Sequence, residues 1–182
     1  LFLHGKTDSN DFSVLAEEFQ LRVVISDGID DLFELSALYR TAREALELMM
    51  DRRFHGGNVC TVAQLRTPLL LKELEGRSDL IAKEIRALAA HDKKKDTQYC
   101  ETLYHYLTCC RSLKKTCDAL FTHRNTVLYR IRRIEDDFAI PLDEPAAHAD
   151  LLVGVSLLLF KEKGPDFFLH TIDHNDREEQ ES

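Results

Sequence analysis

The stretch THRNTVLYRIRRIEDDF, Thr122 to Phe138, decides how this chain is read. It sets four arginines within the ten residues Arg124 to Arg133, beside Asn125, Thr126 and Tyr129, in a chain whose net charge is −8. At about 100° per residue, Val127, Ile131 and Ile134 fall on one side of a helix, and Phe138 follows them. Asn125, Tyr129, Arg132 and Arg133 lie roughly opposite, with Thr126 and Arg130 on one flank. The spacing therefore predicts a rod that is apolar inside and cationic, with hydrogen-bonding groups, outside.

LKKTCDALF, Leu113 to Phe121, precedes this rod and reads as a helix of about two turns. Only Thr122 to Asn125 separates the two patterns, and the small Cys117 suits a close crossing. A short helix, a tight turn and a second helix that is basic outside and apolar inside describe a helix-turn-helix. DNA requires these residue types. Phosphates attract lysine and arginine, whereas base edges need directional groups such as arginine for guanine and asparagine for adenine. Arg124, Asn125, Thr126, Tyr129, Arg132 and Arg133 are the expected groove contacts. Lys114, Lys115 and Arg130 are the expected phosphate contacts.

The charge distribution agrees with this reading. Arg111 to Arg133 holds seven basic residues and one acid, Asp118, a net +6 that leaves −14 on the rest of the chain. Two plainer readings compete with it. One is a solvated basic face on a helical bundle. The other is a protein-interaction or dimerisation module that keeps the motif without binding DNA, to which the acidic remainder gives weight. Salt separates them, because phosphate contacts release counterions and weaken steeply as salt rises.

The first third alternates β and α patterns. LFLH (Leu1 to His4) looks like a strand end, and Phe12, Leu15 and Phe19 have helical spacing. RVVIS (Arg22 to Ser26) reads as a buried strand. A long helix follows from Asp31, with Leu35, Leu38, Ala42, Leu46 and Met49 as its stripe and Gly56-Gly57 as its stop. NVCTV (Asn58 to Val62) is a further short strand. Beyond Gln64 the signals are helical. Thr67-Pro68 is expected to open one helix, and Ser78 or Asp79 to cap the next, with Ile81, Ile85 and Leu88 inward. HDKKKDT (His91 to Thr97) reads as a polar break. A helix from Thr97 with Cys100, Leu103, Leu107 and Cys110 inward comes next, and Pro145 to Phe160 closes the fold. The fold class expected is mainly α: a helical domain over 64–164, preceded by a small partial α/β module over 1–63. An acidic tail, 165–182, is expected to be unstructured, because its DHNDREEQES end, Asp173 to Ser182, lacks large apolar residues able to offset ordering entropy.

LFTHRNTVLYRIRRIE resembles the C-terminal helix-turn-helix of PucR/CdaR-family bacterial transcription regulators. The family pattern is close to L-F-x-H-x-N-T-V-x-Y-R-[IL]-x-[RK]-I-E. It is met at Leu120, Phe121, His123, Asn125, Thr126, Val127, Tyr129, Arg130, Ile131, Arg133, Ile134 and Glu135. ETLYHYL upstream and PLDEPAAHADLLVGVSLLLF downstream resemble the flanking helices, so the likeness runs from about Leu65 to Phe160. One departure is Leu128, where family members often carry a basic residue. RVVISDGIDDLFELSALYRTAREALELM resembles the end of the degenerate GGDEF-like module that often precedes this domain. The resemblance implies a DNA-binding regulator acting as a homodimer on paired half-sites. It also implies a small-molecule effector sensed by an N-terminal region outside this chain, which does not begin with Met.

Other chemistries find little support. A cyclase needs a metal-binding acidic turn and a Gly-Gly-[Asp/Glu]-Glu-Phe loop, and neither is present, so no enzyme activity is expected. His105 and Cys109 share a helix face, but no C-x-x-C or H-x-x-x-H pair accompanies them; the five cysteines read as small core residues, and no metal or cofactor is expected. Their odd number fits a reducing cytoplasm better than a disulfide framework. The longest apolar run, Leu151 to Phe160, is about half of what a membrane span needs.

Overall fold

The computed structural model describes residues 10–29 and 31–169. The described residues form a mainly α structure with one two-stranded sheet. In chain order the elements are α1 (Asn10–Glu18), β1 (Val23–Ile25), α2 (Leu35–Met49), β2 (Val59–Thr61), α3 (Val62–Glu73), α4 (Lys83–Lys95), α5 (Tyr99–Thr108), α6 (Leu113–Leu120), α7 (Arg124–Phe138), α8 (His148–Lys163) and α9 (Asp166–Leu169). Two compact units emerge. One joins the chain up to Glu73 with the residues from Lys163 onward, and the other is Leu74–Glu162. Among the described residues no helix is long and apolar enough to cross a membrane.

In the first unit β1 and β2 run parallel, with Val24 opposite Cys60, and α2 supplies the crossover that parallel strands require. The buried face of α2 is Ala45, Leu48 and Met49; of the expected Leu35-Leu38-Ala42-Leu46-Met49 stripe Met49 is buried, Leu35, Leu38 and Ala42 are half-buried and Leu46 is 38% exposed. Similarly, Ala16 is the fully buried residue of α1, while Leu15 and Phe19 are exposed. In both helices an alanine occupies the contact, where a small side chain permits close approach to a narrow sheet. Gly56 is not the stop of α2, which ends at Met49. A Cβ at Gly56 would lie 2.7 Å from the Phe54 ring and 2.9 Å from Leu169, so this glycine makes room for packing.

Helix α3 opens five residues before the expected Thr67. The Thr61 hydroxyl accepts the Gln64 N–H at 3.2 Å, and the Gln64 side-chain oxygen accepts the Thr61 N–H at 2.8 Å. This reciprocal capping box starts the helix and carries Pro68 into its interior, where Pro68 is buried. The helix packs on α2 and α9 and belongs to the first unit. Within the segment expected to be unstructured, Asp166–Leu169 is helical and Phe168 is buried. The rest of that expectation, from His170, and the Leu1–His4 strand lie outside the described residues.

In the second unit α4, α5, α6 and α7 pack on one another. Neither Ser78 nor Asp79 caps α4; both lie in a 3-10 turn, and Ile81, Ile85 and Leu88 are buried as expected. HDKKK is not a break, because α4 runs through it to Lys95 and ends at Asp96 in the left-handed region, φ 54°. The carboxylate of Asp92 then accepts the N–H groups of Tyr99 at 3.0 Å and Cys100 at 2.7 Å, together with the Thr97 hydroxyl. One helix thus caps the next, satisfying donors that the start of α5 leaves open. Cys110 is exposed rather than inward because α5 ends at Thr108.

Candidate nucleic-acid interface

Two local devices shape the turn between α6 and α7. Ser112 caps α6, its hydroxyl accepting the Lys115 N–H at 3.4 Å. At the other end Thr122 N–H reaches Cys117 O at 3.0 Å and Phe121 N–H reaches Asp118 O at 3.2 Å. This paired closure needs a left-handed residue, usually glycine, and Phe121 takes that position at φ 48°. Phe121 is 89% exposed. His123 then begins α7: its carbonyl accepts Thr126 N–H at 2.9 Å and its Nδ1 accepts Asn125 N–H at 3.4 Å. Three residues, Phe121 to His123, separate the helices.

The inner stripe of α7 is as its spacing predicts, with Val127, Ile131 and Ile134 buried. Arg124, Asn125, Thr126, Tyr129, Arg132 and Arg133 stand exposed on the same helix, and Lys114 and Lys115 stand exposed on α6. Arg130 differs from them. It is half-buried, and its guanidinium donates to Thr102 Oγ1 at 3.2 Å and Gln98 Oε1 at 2.9 Å, fastening α7 to α5. Arg133 pairs with Asp137 at 2.7 Å; that carboxylate, with a hydrogen bond to Tyr99, raises its pKa above the usual value.

The basic residues thus sort into two groups. Arg111, bonded to Leu142 O at 3.0 Å, joins Arg130 and Arg133 as a tethered cation. Among the described residues, Arg124, Arg132 and Lys114 have no ion pair or side-chain hydrogen bond. Beyond Arg133 the rod becomes acidic. Burial pushes the Glu135 carboxyl above its usual range, helped by Asp143 and Asp136. Burial likewise pushes the Cys109 thiol up. No group of three His, Cys, Asp or Glu among the described residues is placed to hold a metal.

Residues 99–157 match the family described as the PucR C-terminal helix-turn-helix domain. Among curated proteins, the proline-responsive transcriptional activator PutR of Bacillus subtilis (strain 168) is 28% identical over 135 residues, which is 71% of this chain and 32% of the relative. The chain therefore spans about a third of that relative's length. No solved structure gives a significant match. The match frames the geometry just described, from the capped start of α5 through the α6–α7 turn into α8: over residues 99–157 this chain carries a PucR-family C-terminal helix-turn-helix domain.

Proposed function

We propose that this chain binds double-stranded DNA through α7 in the major groove and works as a sequence-specific transcriptional regulator. The observation that carries the reading is the outer face of α7, where Arg124 and Arg132 project untied beside exposed Asn125, Thr126 and Tyr129 while Val127, Ile131 and Ile134 anchor the inner face. In this motif the N-terminal residues of the second helix reach the base edges. Arg124 and Asn125 are there and carry the fork and the amide suited to guanine and adenine. Lys114, on the preceding helix, serves a phosphate. The likeness to a protein named a transcriptional activator supports the regulatory part. Two copies on half-sites about 34 Å apart would follow from the motif's usual geometry. For the first unit the reading is a non-catalytic GGDEF-like module, whose β1–α2–β2 order is compatible with that resemblance.

The test is a titration of duplex DNA from the regulator's own promoter region, followed by fluorescence anisotropy. Arg124→Ala and Arg132→Ala are each expected to weaken binding by about tenfold or more, since a good bidentate base contact is worth roughly 1–3 kcal/mol. Unchanged affinity in both variants, with the fold intact, would overturn the assignment.

A further inference from the structure

The tethering of cations on α7 leaves a question. The rod runs for 15 residues, about 22 Å at 1.5 Å per residue, yet of the untied cations Arg124 and Lys114 lie at or before its N-terminal end and Arg132 alone lies in its C-terminal half. A helix lodged in the major groove meets sugar-phosphate walls on both rims, about 12 Å apart. Arg133, the cation nearest the C-terminal end, is engaged by Asp137.

Further open cations stand on another element. Lys93, Lys94 and Lys95 form the last turn of α4 and are exposed; among the described residues none has an ion pair or side-chain hydrogen bond. The end of α4 lies against the C-terminal part of α7. The ring of His91 meets Phe138 edge-on at 5.4 Å and stacks on Tyr99 at 5.2 Å, and Tyr99 in turn reaches Phe138 and Arg133. Of the neighbouring acids, Asp92 is directed into the α5 cap and Asp137 is paired with Arg133, while Asp96, directly after Lys95, is exposed and offsets one of the three lysine charges. Lysines in a last turn favour the helix dipole, but that does not consume their charge.

We propose that Lys93, Lys94 and Lys95 form a second phosphate-binding surface, which grips the DNA backbone beside the C-terminal half of α7 while Lys114 grips it beside the N-terminal end. This rests on the DNA-binding reading and adds an element that lies before the helix-turn-helix. The contacts are to phosphate, so they are independent of base sequence.

The experiment measures binding of the full chain to a short duplex of random sequence over a series of salt concentrations. Each phosphate contact contributes about 0.9 to the slope of log affinity against log salt. The combined Lys93→Gln, Lys94→Gln, Lys95→Gln variant is expected to lose about one to three from that slope. The matching lysine-to-arginine variant should restore it, and Arg86→Gln, earlier on the same helix, should leave it unchanged. A slope equal to the parent's in the glutamine variant would overturn this surface and leave α7 untouched. A parent protein with no salt-dependent binding would remove both this proposal and the DNA-binding reading.

Discussion

Arg130 shows how far the role of one residue depends on its neighbours. By composition it is one more cation in a basic run; in the fold it bridges Gln98 and Thr102, and Thr102 is fully buried. Arg130→Ala is expected to lower stability by about 1–2 kcal/mol in urea unfolding, because a hydrogen-bonded charge is removed and a buried hydroxyl loses its donor. Arg130→Lys should recover only part of this, since an ammonium lacks the planar fork that spans both partners. Arg124→Ala should leave stability unchanged within experimental error. Asp51 supplies a pH-dependent counterpart in the first unit. Its hydrogen bonds from Arg53 hold the carboxyl down to about 2, from an ordinary 3.8. A depressed carboxyl stabilises the fold above 3.8, and that contribution is lost as pH falls from 3.8 towards about 2. The pair is about a third exposed, so its worth is on the order of 1 kcal/mol in salt. Arg53→Ala should be less stable than the parent near neutral pH, and the gap should close as the solution is acidified through this window, as followed by urea unfolding at each pH.

At the scale of elements, helix ends carry most of the surprises. The hydrophobic stripes of α4 and α7 are legible because a 3.6-residue period leaves a direct mark on the sequence, and Ile85, Leu88, Val127, Ile131 and Ile134 are buried where that period puts them. Starts and stops are less legible, because a cap is made by whichever side chain reaches the open donors. Asp92, seven residues before Tyr99, caps α5 from another helix. Asp92→Ala is expected to cost about 1–2 kcal/mol. It should also speed amide exchange at Tyr99 and Cys100, which lose their acceptor. Exchange rates equal to the parent's at those two amides would contradict the cap. The Phe121 position is unreadable for a different reason: a left-handed turn without glycine leaves no compositional signal.

For the whole molecule, charge placement matters more than net charge. A chain of −8 would be repelled by DNA if its charge were spread evenly. Under the proposed function, concentrating cations on α4, α6 and α7 would confine attraction to one unit, while the acidic remainder would oppose binding elsewhere. The three untied cations Arg124, Arg132 and Lys114, with the three lysines of α4, are expected to give a log-affinity against log-salt slope of roughly −3 to −5 per bound chain. A slope near zero in an anisotropy salt series would favour the interaction-module alternative. By itself, the sequence of Thr122 to Phe138 determined that a two-faced helix follows a short one, because amphipathic period and residue chemistry are local properties. Only the tertiary structure decided which cations remain open to a partner. Arg130 and Arg133 are tied to groups whose nearness depends on how the helices pack, or on the rotamer each side chain adopts once they do.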